Sequence, residues 1–141
     1  MAERLKLRAE DEEDLAIISA ILQDALVTVG EMTYLPEERR FALVVNRFRW
    51  EMKPEEGHFE RIHSGLSFEE VSAVKIRGFD PRETDRILEI LALHHEPGAI
   101  LFDFSGDGAL RLESARILCR FEDIGEPWPT PWRPRHPVEG R

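Results

Sequence analysis

The sequence predicts an α+β domain: mostly antiparallel strands in a bent sheet or partly closed barrel, with one N-terminal amphipathic helix. Three observations carry this. Residues 96–123 alternate apolar and polar positions around a Ser105-Gly106-Asp107-Gly108 turn. Leu15, Ile18, Ile21, Leu22 and Ala25 recur at helical spacing behind an acidic start. The other apolar runs are short, rich in β-formers and joined by short polar links, which suits antiparallel neighbours in meander order.

Taken in order, Leu5 and Leu7 alternate with Lys6 and Arg8 as a first short strand. Asp11 can cap the helix that follows, and carboxylates in its first turn complement the macrodipole. Residues 26–35 and 41–50 read as two strands paired across Pro36–Arg40. In the second, Phe41, Leu43 and Val45 share a face that ends in Arg47 and Arg49, so this strand is expected to leave the core near Asn46. Residues 52–57 form a loop. Residues 59–68 and 71–79 read as strands, with Ile62, Leu66 and Phe68 on one phase and Arg61 and His63 on the other.

Asp80-Pro81-Arg82-Glu83 has the form of a helix start. The run Ile87–His95 is apolar under either period, and the expected arrangement is one helical turn at 81–85 followed by a strand leading into the 96–123 hairpin. Ile100, Phe102 and Phe104 alternate, Leu110 and Leu112 resume the pattern, and then Ile117, Cys119 and Phe121 fall out of phase with them. A bend near Ser114-Ala115 accounts for the slip. Past Ile124 repeated proline favours extended polyproline structure over helix or sheet, so residues 1–125 are expected as one domain and 126–141 as a proline-rich tail.

Lys plus Arg is 19 against 28 Asp plus Glu, a formal charge of −9 that opposes binding to duplex nucleic acid. Cys119 is the only cysteine, which excludes a disulfide framework within the chain and suits a reducing compartment. The first residues have no apolar signal core and no run approaches the ~18 apolar residues of a membrane span, so the expected location is cytoplasmic, with no membrane partner.

Little in the chain has the form of reaction machinery. His58, Glu60 and His63 do not have the zincin spacing, and on a strand His58 and His63 point to opposite faces. His94 and His95 diverge for the same reason, and the SGDG turn is not followed by the helix a phosphate loop needs. No metal set, cofactor motif or nucleophile and base pair can be assembled. The remaining cluster is Arg47, Arg49 and Trp50, with Arg61 and His63 on the expected neighbouring strand. Arginine beside aromatics suits capture of an anion or of a peptide.

The segments LKLRAEDEEDLAIISAILQDA, YLPEERRFALVVNRFRWE, ERIHSGLSFE and LESARILCRFEDIGEPW resemble an uncharacterised bacterial family, domain of unknown function 2948, mainly alphaproteobacterial. The resemblance implies a cytoplasmic bacterial protein and brings no activity, cofactor or catalytic residue. A barrel with one helix is also the architecture of pleckstrin-homology-like modules, an analogy that fixes no function. The expectation is a small binding or scaffold module for a protein partner or a second copy of itself. The alternative is a small enzyme or ligand-binding protein for an anionic small molecule.

Overall fold

In this computed structural model, which describes residues 4–52, 58–131 and 133–134, strand β1 (Lys6–Ala9) leads into helix α1 (Glu12–Ile21). The Asp11 carboxylate accepts the Asp14 N–H at 2.8 Å, satisfying a donor that every helix start leaves open. Leu15, Ile18 and Leu22 are buried, whereas Ile17 lies outside the packed stripe. Strands β2 (Leu26–Thr28) and β3 (Met32–Leu35) flank a single 3₁₀ turn, Val29–Glu31, that bends the first β-rich run. The remaining strands are β4 (Arg40–Phe48), β5 (Phe59–Phe68), β6 (Ala73–Arg77), β7 (Ile87–Glu96), β8 (Ala99–Phe104), β9 (Ala109–Glu113) and β10 (Cys119–Thr130).

All the pairings are antiparallel, in the order β1-β10-β5-β4-β2-β7-β8-β9-β6 with β3 also on β4, and the sheet bends without closing. The expected meander holds for β3-β4-β5 and β7-β8-β9 but not elsewhere. The link after β5 does not reverse the chain: Glu69 N–H donates to the Leu118 carbonyl, Val71 N–H to Arg39 and Ser72 N–H to Glu113. It therefore rounds a corner and delivers β6 beside β9. The Ser114 hydroxyl donates to the Arg116 carbonyl at 2.8 Å, and this bend carries β10 away from β9 to lie between β1 and β5.

Ile87–Glu96 is a strand, as expected, but residues 81–85 are not helical. Asp80 takes the Arg82 N–H on its side chain at 2.9 Å, and tight turns follow. The mixed period of β7 has a physical source. A register shift between Ile90 and Ala92 moves the buried set from Leu88 and Ile90 to Leu93. At the β8–β9 turn Gly106 and Asp107 take φ of 76° and 67°, the backbone region that the SGDG composition serves.

Ile18, Leu22, Phe102, Phe104, Leu112 and Phe121 belong to one continuous core, as the helical and strand phases imply. Phe68 meets Phe102 edge-on at 5.6 Å, joining the two halves of the sheet. Two expectations are corrected. Strand β4 does not leave the core at Asn46: Val45 and then Arg47 stay on the inner face, and Arg47 is 0% exposed. Proline does not end the sheet at residue 126 either, because β10 pairs with β5 as far as Thr130↔Phe59. The ladder skips from Ile124↔His63 to Trp128↔Arg61, so Pro127 falls in the bulge, and Gly125 turns the chain there at φ 71°. Pro129 lies beyond the part of β10 that β1 pairs, where the missing N–H costs least. Residues 53–57 of the expected loop, Trp132 and residues 135–141 lie outside the described residues.

Candidate binding surface

Strand alternation divides the residues that the sequence groups together. Arg47 points inward. Its Nε donates to Asp123 Oδ1 at 2.9 Å and its Nη2 to Asp123 Oδ2 at 2.8 Å, while Glu51 accepts from the same guanidinium at 3.0 and 2.8 Å. Asp123 also accepts the Ser64 hydroxyl at 2.7 Å and the Leu5 N–H at 2.8 Å. One buried carboxylate thus ties β4, β5 and β10 to the segment entering β1. Burial alone would push the Asp123 carboxyl up; the guanidinium, the N–H and the hydroxyl outweigh it and hold the group below its ordinary value. Burial alone would lower Arg47, yet its bonds to Asp123 and Glu51 raise it.

Arg49 is 7% exposed and pairs with Glu60 and Glu51. The exposed cationic patch expected of Arg47 and Arg49 is therefore corrected, since their charges are balanced within the fold. The physical reason is cost: a guanidinium on an inward phase is kept only with carboxylates supplied to it. Trp50 packs against Phe48 with ring centroids 4.7 Å apart, and its Nε1 donates to the Gln23 carbonyl at 3.2 Å. The Arg133 guanidinium lies 5.5 Å from the Trp50 ring.

Arg61 and His63 occupy the opposite, outer face of β5. Arg61 donates to the Asn46 side-chain oxygen at 3.0 Å, and burial lowers its pKa. His63 meets Trp128 with ring centroids 4.8 Å apart. Among the described residues, the other histidines stand beside carboxylates: His58 by Glu60 at 3.0 Å, His94 by Asp103 at 3.0 Å and His95 by Glu12 at 2.9 Å. Among the described residues no three His, Cys, Asp or Glu side chains gather as metal ligands. Cys119 is buried, and burial pushes its thiol up to about 12, far from a nucleophile's range.

This face also holds a concave feature that no single strand's pattern reveals. Antiparallel register sets Ala42 beside Ser67 and Arg120 in one row, and Val44 beside Gly65 and Glu122 in the next. Small side chains on two adjacent strands, β4 and β5, make the floor of a trough of about 640 Å³. Glu31 and Thr33 stand along one side and Arg120, Glu122 and Ile124 along the other, with Arg40 and Glu69 at one end. His63 pairs with Ile124 at the opposite end. Arg40 Nε and the Ser67 hydroxyl hold Glu69 at 2.9 and 2.7 Å. Against a burial effect that would raise it, these partners keep the Glu69 carboxyl low and charged.

Gly65 is the informative residue. It lies mid-strand, its φ is not among the positive ones, and a Cβ built on it meets nothing within 4 Å. The fold therefore requires glycine there neither for conformation nor for space. The signal in the sequence was the smallness of the off-core phase, Ala42 and Val44 in one strand and Gly65 and Ser67 in the next. Among the described residues no helix is long and apolar enough to cross a membrane. No curated protein and no solved structure matches the chain. A sequence profile matches residues 5–136, and the chain belongs to that family, a protein of unknown function designated DUF2948.

Proposed function

We propose that this chain is a cytoplasmic binding module that receives a polypeptide segment of a protein partner in the trough on the outer face of β3, β4, β5 and β10. The observation that carries the reading is Gly65. Glycine inside a strand costs roughly 0.5–1 kcal/mol against alanine and marks places where another backbone comes close. Here the space above it is open, and small neighbours extend that space along β4 and β5. The floor is a sheet face with walls on two sides and charges of both signs around an apolar centre, which suits a polypeptide with mixed side chains.

Of the residues expected to touch a ligand, His63 stands at the trough end with Arg61 and Trp128 behind it, while Arg47 and Arg49 act by fixing the strands beneath. The single buried thiol suits a reducing compartment and supports the cytoplasmic part of the reading. Selection of displayed peptides on the full chain tests the proposal. Enriched peptides should bind wild type and lose binding to Gly65→Leu, a change that fills the trough. Peptides bound equally by both proteins, or no enrichment at all, would remove the trough as the site.

A further inference from the structure

A second surface, independent of the trough's role, lies next to it and shares Glu69 and Arg120 with it. Strand β1 ends the sheet order, and among the described residues its one strand neighbour is β10. The Asp123 N–H donates to the Leu5 carbonyl, which sets the ladder alternation: Leu5, Leu7 and Ala9 turn their backbone groups to β10, and Lys6 and Arg8 turn theirs away. No described residue bonds to the outward N–H of Lys6 or Arg8.

The register also opposes Arg8 to Arg120 and Lys6 to Glu122. Arg8 and Arg120 thus form a non-hydrogen-bonded pair, the kind in which side chains come closest, and like charges there oppose folding. Neither guanidinium has an ion pair among the described residues, although the chain carries 28 carboxylates. Both line a cleft of about 230 Å³. Glu10 and Glu69 also border it; Glu69 is bound by Arg40 and Ser67 and also feels the charge of Arg120, so the compensation of Arg120 is shared with Arg40. Two cations thus face each other at a strand edge to which no further described strand pairs.

We infer that this edge takes an acidic, extended segment of another protein as an added strand, with carboxylates at alternate positions opposite Lys6 and Arg8. Backbone bonds to Lys6 and Arg8 supply the pairing, and the incoming carboxylates relieve the Arg8–Arg120 repulsion. A second copy of this chain does not fit by symmetric edge pairing, because Lys6 and Arg8 would then meet their own equivalents.

Fluorescence anisotropy of the full chain with a short labelled peptide of alternating Glu and Val tests this. Wild type should bind it, more weakly as salt rises, and reject versions with Gln or Lys in place of Glu. Arg8→Gln and Arg120→Gln should each weaken binding by about tenfold or more, while the melting temperature of each stays level or rises because the like-charge pair is gone. N-methylation of the peptide groups that would face β1 should abolish binding with every charge kept. Gly65→Leu should leave the affinity unchanged. No binding, equal binding of the Gln peptide, insensitivity to both arginine variants or to N-methylation, displacement by equimolar citrate, or loss in Gly65→Leu would each overturn the inference, the first leaving β1 as a charged guard against edge pairing.

Discussion

Arg47 Nη2 and Asp123 Oδ2 meet at 2.8 Å, and neither side chain has any exposed surface. The pair joins two strands that flank β5 on either side, beneath the binding face. Removing one partner strands the other charge in the interior, so Asp123→Ala should cost about 3–5 kcal/mol in urea denaturation. Replacing both residues by apolar ones, as in Arg47→Met with Asp123→Leu, should recover much of that loss. A single variant within about 0.5 kcal/mol of wild type would mean the pair is solvated in solution.

The same pair sets an acid limit. Asp123 and Glu51 both have folded-state pKa values below their ordinary ones; for each, burial would raise the value and the Arg47 bonds overcome it. Between the folded and unfolded values the unfolded chain binds more protons, so stability rises with pH. The contribution is complete above the ordinary carboxylate range near ~4 and fades as pH falls through the depressed folded values. Denaturation midpoints in acid should therefore fall more steeply for wild type than for Asp123→Asn, and parallel curves would remove Asp123 as the source.

Cys119 gives a probe of opening. Its thiol is buried on the inner face of β10 with its pKa pushed up to about 12 by burial. Labelling by a thiol reagent at neutral pH should be slow in the native protein and should speed up only where β10 unpairs. Rapid stoichiometric labelling without denaturant would show that β10 leaves the sheet readily.

Much of the fold was written in local pattern. The helix start at Asp11, the alternation through Phe102 and Leu112 and the slip at Ser114 are short-range signals, and each found its place. What escaped were relationships between distant residues. Arg47 reads as a surface cation until Asp123, 76 positions away, is brought to it by β10. The neighbours of β6 and β10 depend on two corner links, Glu69–Ser72 and Ser114–Leu118, whose backbone bonds are made to each other, to the turns at Arg39 and Gly98 and to Glu113, all distant in sequence. The trough was visible only in part, since Ala42, Val44, Gly65 and Ser67 become one floor once the register is known.

Gly65 separates the demands of folding from those of binding. With ordinary backbone geometry and open space at its Cβ, Gly65→Ala should raise stability by about 0.5–1 kcal/mol. The same substitution should weaken any partner that lies on the floor, and Gly65→Leu should weaken it further. A destabilised Gly65→Ala protein would show that the glycine serves the fold and would remove the observation on which the trough reading rests.

The proline-bearing end of β10 should contribute to stability in spite of its composition. Trp128 pairs with Arg61 across the ladder, its ring packs on His63 at 4.8 Å, and Arg133 reaches the face of Trp50 at 5.5 Å. The Arg4–Glu126 pair at 2.6 Å is largely solvent-exposed and adds less than about 1 kcal/mol. Most of the effect should come from the half-buried indole and the three ladder positions from Trp128 to Thr130. A chain ending at Gly125 should therefore lose about 1–3 kcal/mol, the scale of one large apolar side chain returned to water. Trp128→Ala should account for much of that loss, and removing Arg133 should change the emission of Trp50. If the shortened chain melts with wild type and Trp50 emission is the same in both, the segment past the bulge is a solvated extension of β10, and His63 is left as an open imidazole at the end of the trough.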